Sequence, residues 1–549
     1  MKSKLKTAPH GGHSVNRAGL TVQSDHATTA LPVWRASARM AIVAAASVVA
    51  CSLIATGIVG CADMSGIESK AALRDAVSLG LPAPSTVAVS AVVRAEWWRD
   101  FGDEQLDRLV VRALQFSPNL QLAQARLVRA QAVTEVADAA RLPQVNAQLD
   151  ASRQRYTANG LVPPPLAGTV RETGTAQLNA SWELDFFGKN RAALDAALGS
   201  VHAAEADAQA AKVLLASNVV RSYFQLVRLN EQVGVARRTL AQRQESLKLV
   251  QDRVSAGLDT RLELRQSEGG LPEARLQLES LLEQMALTRN ALGALVGQPD
   301  IALATVPPAQ DSLKKIAVTA AIPADLLGRR ADITAARWRV EASGKDVVNA
   351  KTQFYPNINL VAFAGFSSIG LNRLFDSGSQ QWGVGPALRL PIFDAGRLRA
   401  NLRGKSADLD AAVESYNAAV LDAVRDVADQ VASMQAIDRQ QTEQRAAAAA
   451  AEGAYEIAVQ RYKAGLGNYI NVLTAETSVL VQRRGAVDLA ARALDTQVAL
   501  IRALGGGYTP APLPQVANAT SIATKKVAEG AVNMLASGTI DTQTGIAAR

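Results

Sequence analysis

Side chains able to act as nucleophiles, acid–base groups or metal ligands are scarce in this chain. It holds two cysteines, Cys51 and Cys61, and four histidines, of which only His202 lies beyond residue 26. Both cysteines sit in or just after Met40 to Gly60, a run of apolar and small residues without a charge. A thiol placed there is suited to acylation rather than to catalysis. Once Cys61 is acylated at a mature N-terminus, no free Cys remains and His202 is the single His. Disulfides, Cys/His zinc sites and Cys–His nucleophilic catalysis are then excluded by inventory. His202 stands in an Ala-rich helical run and reads as a helix-surface histidine. Gly404-Lys405-Ser406 has the end of a phosphate loop but not its start, since the position five before Gly404 is Arg399. No His-Glu-x-x-His or Gly-x-Ser-x-Gly run occurs. The expectation is a non-enzyme with no catalytic residue, no metal and no cofactor.

The charge pattern narrows the class further. Lys2, Lys4, Lys6, Arg17, Arg35 and Arg39 face only Asp25 within residues 1–39, so the net charge of +8 is largely a property of the leader. The rest is near neutral and makes no electrostatic case for nucleic acid. Arg35 and Arg39 before the apolar run read as a signal peptide over residues 1–60. At about 20 residues the run is also long enough for an uncleaved membrane helix. Ile58-Val59-Gly60-Cys61 favours the first reading, because it resembles a bacterial lipobox, in which the Cys becomes the lipidated first residue. Val48-Val49-Ala50-Cys51 fits the same short pattern. Cys61 is preferred because the apolar run ends there and Ala62-Asp63 turns polar. The same resemblance to a lipobox implies that Ala62 after the lipidated Cys suits export to the outer membrane, where Asp would favour inner-membrane retention.

Long elements must position whatever this chain does. Arg253-Val-Ser-Ala-Gly-Leu-Asp-Thr-Arg-Leu-Glu-Leu-Arg-Gln-Ser-Glu268 aligns without a gap on Arg461-Tyr-Lys-Ala-Gly-Leu-Gly-Asn-Tyr-Ile-Asn-Val-Leu-Thr-Ala-Glu476, at a constant offset of 208 (461 − 253). Gly257 and Gly465 stand where a helix ends in a left-handed residue, and Asp259-Thr260 or Gly467-Asn468 supplies a new N-cap. Each copy therefore reads as a long helix, a tight reversal and a returning helix. Gly188 and Gly396, also 208 apart, start the long helices after the sister motifs Trp182-Glu-Leu-Asp-Phe-Phe-Gly188-Lys-Asn-Arg191 and Leu390-Pro-Ile-Phe-Asp-Ala-Gly396-Arg-Leu-Arg399. From Gly to tip is roughly 65 residues, or ~100 Å of helix. Val219, Leu226, Val233, Leu240, Leu247 and Val254 recur every seven residues, as do Val413, Val420, Val427 and Met434. Such heptads make helices supercoil. A plain coiled-coil dimer would show them too. Two long helices per chain, each returned by a shorter one over about 260–297 and 468–505, fit a helical tube better. The 4% aromatic content and abundant Ala suit closely spaced helices, and Ala446 to Ala451 is helix interior.

At Pro143 the period changes to two. Val145, Ala147, Leu149 and Ala151 alternate with Asn146, Gln148, Asp150 and Ser152. After a loop around Pro163-Pro164-Pro165, the residues Ala176, Leu178, Ala180, Trp182, Leu184 and Phe186 alternate with Gln177, Asn179, Ser181, Glu183 and Asp185. Eleven residues at ~3.4 Å, tilted near 45°, cross about 26 Å, the apolar height of an outer membrane. One half-buried soluble strand would alternate likewise, but the second half repeats the pattern. Phe354-Tyr-Pro-Asn-Ile-Asn-Leu alternates through Ala362 and Ala364, and Trp382, Val384, Leu388 and Leu390 return after a polar loop. About four strands cannot close a barrel, and an open edge cannot sit in lipid. Several chains must pool them, and three copies would give twelve.

The expected layout is an extended segment at 61–102, a first repeat at 103–298 and a second at 325–508, joined by an irregular bridge at 299–324. The first repeat opens with a helix from about 104 to 141, capped by Asp103 or a neighbour, and carries strands near 143–156 and 174–188. The second carries strands near 354–367 and 381–394, and a flexible tail follows at 509–549.

Taken together these residues resemble the TolC-like outer-membrane efflux family, in its lipoprotein branch (NodT/OprM type). The likeness is carried by the lipobox, by Trp97-Trp98 with Phe101-Gly102-Asp103, and by Leu326-Leu327-Gly328-Arg329-Arg330-Ala331-Asp332-Ile333. Pro391-Ile-Phe-Asp-Ala-Gly396-Arg, the two tip turns and Ala503-Leu-Gly-Gly-Gly-Tyr508 carry it as well, so that it spans Cys61 to Tyr508. The resemblance implies a mainly α chain with membrane β structure. Its homotrimer would close a twelve-strand β-barrel, continued by a periplasmic α-helical barrel. Anchored by lipid in the bacterial outer membrane, it would be the passive exit duct of a tripartite efflux pump for drugs or other small molecules. The partners implied are a periplasmic adaptor (membrane fusion) protein and an inner-membrane transporter.

The resemblance also implies a tip closed by an acid of the first turn meeting a Tyr of the second, positions held by Glu263 and Tyr462. Asn471 and Thr474 stand where relatives often line the constriction with acids, and Gly467 where some have Arg. Arg253, Arg461 or Asp259 offer a different latch. Ala331 replaces the Pro of the usual Arg-Arg-Pro-Asp run and Arg337 a frequent Glu, both expected to affect packing. Two alternatives stay open: a type I protein-secretion duct, and a non-transporting outer-membrane coiled-coil lipoprotein. The second explains the heptads and Cys61 but neither the strands nor the duplication.

Overall fold

The structure is a computed structural model that describes residues 64–74, 93–300, 304–314, 316 and 326–508. The leader with Cys51 and Cys61, part of the 61–102 segment, part of the bridge and the 509–549 tail lie outside the described residues. Asp103 opens α1 (Glu104–Phe116), its carboxylate accepting from the amides of Gln105 and Leu106. The single helix expected to about residue 141 is broken at Ser117, which is extended at ψ 123° before Pro118. A proline ring disfavours helix in the residue before it, yet suits the first position of the helix that follows. That helix is α2 (Pro118–Ala139).

The first half continues through β1 (Gln144–Arg155) and β2 (Val170–Leu184) into α3 (Lys189–Ser255), a helix of 67 residues, and α4 (Arg261–Val296). The second half repeats the order: α5 (Ala331–Thr352), β3 (Asn357–Ile369), β4 (Gln380–Arg389), α6 (Arg397–Lys463), again 67 residues, and α7 (Tyr469–Ala503). β2 and β4 stop before the expected ends. After β2 the chain turns, with the Phe186 amide on the Leu184 carbonyl at 2.8 Å. After β4 comes Pro391, which has no N–H for a ladder.

The four strands form one antiparallel sheet in the order β1-β2-β3-β4. Its register is unbroken, pairing Leu149 with Ala176, Trp182 with Leu360 and Ala364 with Trp382. One face therefore collects Leu149, Leu178, Trp182, Leu360, Trp382, Val384 and Leu388, each well exposed. The other is polar and internally bonded. Gln177 and Asn179 donate to Gln148, Gln381 donates to Gln177 at 2.9 Å, and Ser152 pairs with Thr173 at 2.8 Å. Phe363 also lies on this face, its ring over Gly383, where a Cβ would come within 2.6 Å of it. Every residue of β1 is exposed, so the chain alone gives this sheet no core and leaves two open edges.

The core lies instead around the middle of α3. A 3₁₀ turn at Trp97–Phe101 buries three aromatic rings, and Phe101 meets Phe224 edge-on at 4.9 Å. Leu106, Val110, Leu226, Leu292, Val498 and Ile501 join them from α1, α3, α4 and α7. The heptad residues Val219, Leu226, Val233, Val413, Val420 and Val427 are nearly fully buried. Further toward the tips, Leu240, Leu247, Val254 and Met434 are only half-buried. On α2 only Leu120 is buried, and Leu122, Val128, Val133 and Val136 stay exposed.

Candidate functional site: the paired hairpin tips

The two reversals are closed the same way. Gly257 and Gly465 are left-handed, with φ 72° and 74°. Leu258 donates to the Arg253 carbonyl at 2.9 Å and Gly257 to Val254 at 3.0 Å. Leu466 and Gly465 repeat this on Arg461 and Tyr462 at 2.8 and 3.1 Å. This six-to-one and five-to-two pairing satisfies the last carbonyls of each long helix, and the left-handed step is why Gly stands there. It also leaves Leu258 and Leu466 exposed at the extreme end.

The restarts differ. Thr260 Oγ1 accepts from the Leu262 amide at 3.1 Å, while Glu263 accepts from the Thr260 amide at 3.0 Å, a reciprocal capping box. The Thr260 hydroxyl, above all, holds the Glu263 carboxyl below its usual range. Asn468 caps α7 with no side-chain hydrogen bond.

Across the tips, the Tyr462 hydroxyl donates to Asp259. Arg253 Nε donates to the same carboxylate oxygen at 2.9 Å, and its guanidinium lies 4.6 Å from the Tyr462 ring centroid. Tyr462, Tyr469, Val472 and Val250 are buried together beside them. Burial alone would raise the Asp259 carboxyl, but the hydrogen bonds from Arg253 and Tyr462 outweigh it and hold the group below its usual range. Burial, reinforced by Asp259, pushes the Tyr462 phenol well up, so it stays a donor.

The expected Glu263–Tyr462 contact is thus not made within the chain. Glu263, at the third position of α4, spends its carboxylate on the start of its own helix, and Asp259 takes Tyr462. Of the alternative latch residues, Arg253 and Asp259 are brought together. Arg461 instead donates to the Leu466 carbonyl of its own turn at 3.3 Å. Asn471 and Thr474 are exposed, with the Thr474 hydroxyl on the Ile470 carbonyl at 2.9 Å.

Three groups lay beyond the sequence reading. Glu476, only 4% exposed, sits on α7 against Arg243 Nε of α3 at 3.4 Å and Gln242 at 3.5 Å. Arg243 also donates to the Gly270 carbonyl at 2.7 Å and to Glu273 of α4 at 3.3 Å. Burial raises the Glu476 carboxyl against the pull of Arg243 and Arg483, with Glu273 adding to the rise. Glu476 closes the duplicated stretch, a signal that marks the place but not the burial.

At the strand–helix junctions, Gly188 and Gly396 are left-handed, with φ 77° and 85°. Having no side chains, they leave capping to Asp185, which accepts from the Arg191 amide at 2.8 Å, and to Asp394, which accepts from Leu398 at 2.8 Å. Near the N-terminus, Asp410 accepts from Ser69 Oγ and the Lys70 and Ala71 amides at 2.6, 2.9 and 3.0 Å. Asn417 holds Arg74 and Ala72, and Arg399 reaches the Ser65 carbonyl at 3.3 Å. Read from 74 back to 65, the chain climbs α6 toward Gly396, by ~27 Å of helix rise.

Comparison with known proteins accords with this geometry. The family model for outer membrane efflux protein matches residues 109–298 and 322–506. The fusaric acid resistance protein FusA of Burkholderia cepacia is 37% identical over 66% of this chain and 69% of its own length. The multidrug resistance outer membrane protein MdtP of Escherichia coli K12 is 32% identical over 78% of this chain and 89% of its own. The crystal structure of the outer membrane protein VceC of Vibrio cholerae superposes with a TM-score of 0.71 at 37% identity, covering 76% of this chain and 99% of that one. The two matched blocks fall on the two halves related by the 208-residue offset, and this chain belongs to the outer membrane efflux protein family: it is an outer-membrane channel protomer whose strands join a shared β-barrel and whose hairpins build the helical barrel beneath it.

Proposed function

We propose that this channel is the passive exit duct for drugs or other small molecules, and that the paired tips are its periplasmic gate. The observation that carries the gate is the link between hairpins. Asp259 of the first turn is bonded by Tyr462 of the second, so the α3–α4 and α6–α7 tips cannot part without breaking it. Arg253 braces that acceptor. Exposed Leu258, Leu262, Leu466 and Ile470 around the tip offer apolar contacts to a periplasmic adaptor, which links the duct to an inner-membrane transporter. That transporter supplies the energy, so the duct itself performs no chemistry. The names of the relatives, fusaric acid resistance and multidrug resistance, favour small organic substrates.

Placement in the membrane follows from the sheet and the N-terminal strap. Phe186, Phe187, Ile392 and Phe393 are exposed just below the strands, where aromatic belts meet the inner headgroups. Ser65 lies on Arg399, three residues past Gly396. Cys61, at the end of the apolar run that precedes this segment in sequence, is the residue we assign to lipidation. Three chains pooling four strands each give the homotrimer. Loss of the gene should raise sensitivity to fusaric acid or other small drugs severalfold, with the wild-type chain restoring resistance. Unchanged susceptibility and unchanged drug retention on deletion would remove the efflux role.

A further inference from the structure

Above the apolar band, the outward face of the sheet turns basic. Because the register has no bulge, Arg153 and Arg155 share the face of Leu149 and Ala151, and Glu172 shares that of Leu178. From Leu184 up to Gly174 this face is otherwise Trp182, Ala180, Leu178 and Ala176. Ten steps at ~3.4 Å, tilted near 45°, rise about 24 Å, a full outer-membrane apolar layer. The next outward residues are Glu172 and its ladder partner Arg153, followed by Arg155, which places them at headgroup depth. The loop from β1 to β2, residues 156–169, carries no charge.

The loop from β3 to β4 starts at the same level, with the Gly370 amide on the Glu172 carbonyl at 2.6 Å. It folds over the outer face rather than the lumen. A Cβ on Gly174 would come 2.9 Å from Leu371 and 3.2 Å from Leu374, so both leucines lie against that outward glycine. Phe375 meets the outward Phe366 edge-on at 5.7 Å and remains 72% exposed. Arg373 is exposed in the same turn.

We propose that Arg153, Arg155 and Arg373 form a docking surface for a phosphate-bearing headgroup of the outer-leaflet lipid, with Phe375 set among its acyl chains. Guanidinium groups pair with phosphate oxygens through two parallel donors, and desolvation beside lipid strengthens the pairing. The acids of this surface are Glu172, 3.8 Å from Arg153, and Asp376, which leaves the cations in excess. Arg171 lies at the same height but on the lumen face, because it pairs with Gln154. It is the internal control.

The proposal rests on the outer-membrane placement of the channel, and the test separates the two. The full-length trimer, purified in detergent, is titrated with bis-phosphorylated lipid A and with the same lipid stripped of phosphate, and bound lipid is counted by native mass spectrometry. Lipid A should bind about tenfold better than its stripped form. R153Q/R155Q/R373Q should abolish that preference, while R171Q should leave it intact. R153K/R155K/R373K, which keeps the charge, should retain part of it and guards against a folding artefact. Equal binding of the two lipids, or an equal loss in R171Q, overturns the docking surface. Planar-bilayer conductance of the same preparations reports the duct: equal binding of the two lipids by the wild-type trimer, with normal conductance, overturns the surface alone.

Discussion

The first tip, 253–268, and the second, 461–476, descend from one pattern and have become complementary. Where they agree, they do the same job: Ala-Gly-Leu closes each long helix on the same carbonyls. Where they differ, one supplies what the other lacks. Asp259 corresponds to Gly467, and Val254 corresponds to Tyr462. The first tip thus holds an acid with its own Arg253, and the second holds the hydroxyl that reaches it. The closing glutamates diverge by place alone. The Glu268 side chain is 38% exposed beside Arg265, whereas that of Glu476 is 6% exposed beside Arg243. The lesson is that duplication makes two hairpins, and asymmetry is what joins them.

That comparison breaks most visibly at Asp259. D259A removes the acceptor of Tyr462 and leaves Arg253, only 12% exposed in its side chain, without its carboxylate. The expected loss at the joint is about 2–3 kcal/mol. It should appear as a severalfold rise in bilayer conductance and as entry of large antibiotics. An unchanged conductance would remove the gate role. Y462F should show a smaller effect, about 1 kcal/mol, since the ring stays under Arg253.

Next come the glutamates. E476A should cost about 2 kcal/mol in thermal or denaturant unfolding, by taking the α7 partner from a largely buried Arg243 and leaving it only Gly270 and Glu273 of α4, and E268A no more than about 0.5. Glu476 also sets a pH dependence. Burial raises its carboxyl, so the packed joint binds a proton more readily than parted hairpins do. Its contribution favours closure in acid and is lost as pH rises through the raised value. Arg243, Gln242, Glu273, Tyr455 and Arg483 are the groups around it. Asp259, held low, works the other way, and its stabilisation is lost only as pH falls through a value below 3.8. Conductance should therefore fall from neutral pH toward about 4.5, and E476Q should flatten that limb.

The smallest effects test the caps. T260A should cost about 1 kcal/mol and N468A almost nothing, because only Thr260 receives an amide. G257A and G465A should each cost about 1 kcal/mol, alike in both copies, since a side chain is strained at that φ even in open space. Unequal costs would mean that the two reversals are not equivalent.

Much of this architecture was legible in the chain itself, because it is written in local chemistry. The change of period at Pro143 marks a strand, Gly257 and Gly465 mark reversals, and the spacing from Val219 to Val233 marks a buried seam. Pro118 carried the signal for the break at Ser117, but the apolar stripe of α1 hides it. The Asp259–Tyr462 pair proposed as the gate was not legible, since Asp259 and Glu263 are both acids of one turn, four residues apart. The spacing Thr260-Arg-Leu-Glu263 is that of a capping box and could have signalled that Glu263 is spent on its own helix, but nothing in the order says that Asp259 then meets Tyr462. Asp185 and Asp394 likewise sit three and two residues before their glycines, a difference that hides their common role as caps.

By itself, then, the amino-acid order determined the elements, their duplication and the alternating face that suits a membrane. Each of these depends on neighbours within a turn or two of chain. Only the tertiary structure decided that Tyr462 meets Asp259, that Glu476 is buried while Glu268 is not, and that the β3–β4 loop folds outward over Gly174. Those outcomes depend on groups about 200 residues or more apart arriving at one place, where geometry chooses among side chains that sequence leaves equal.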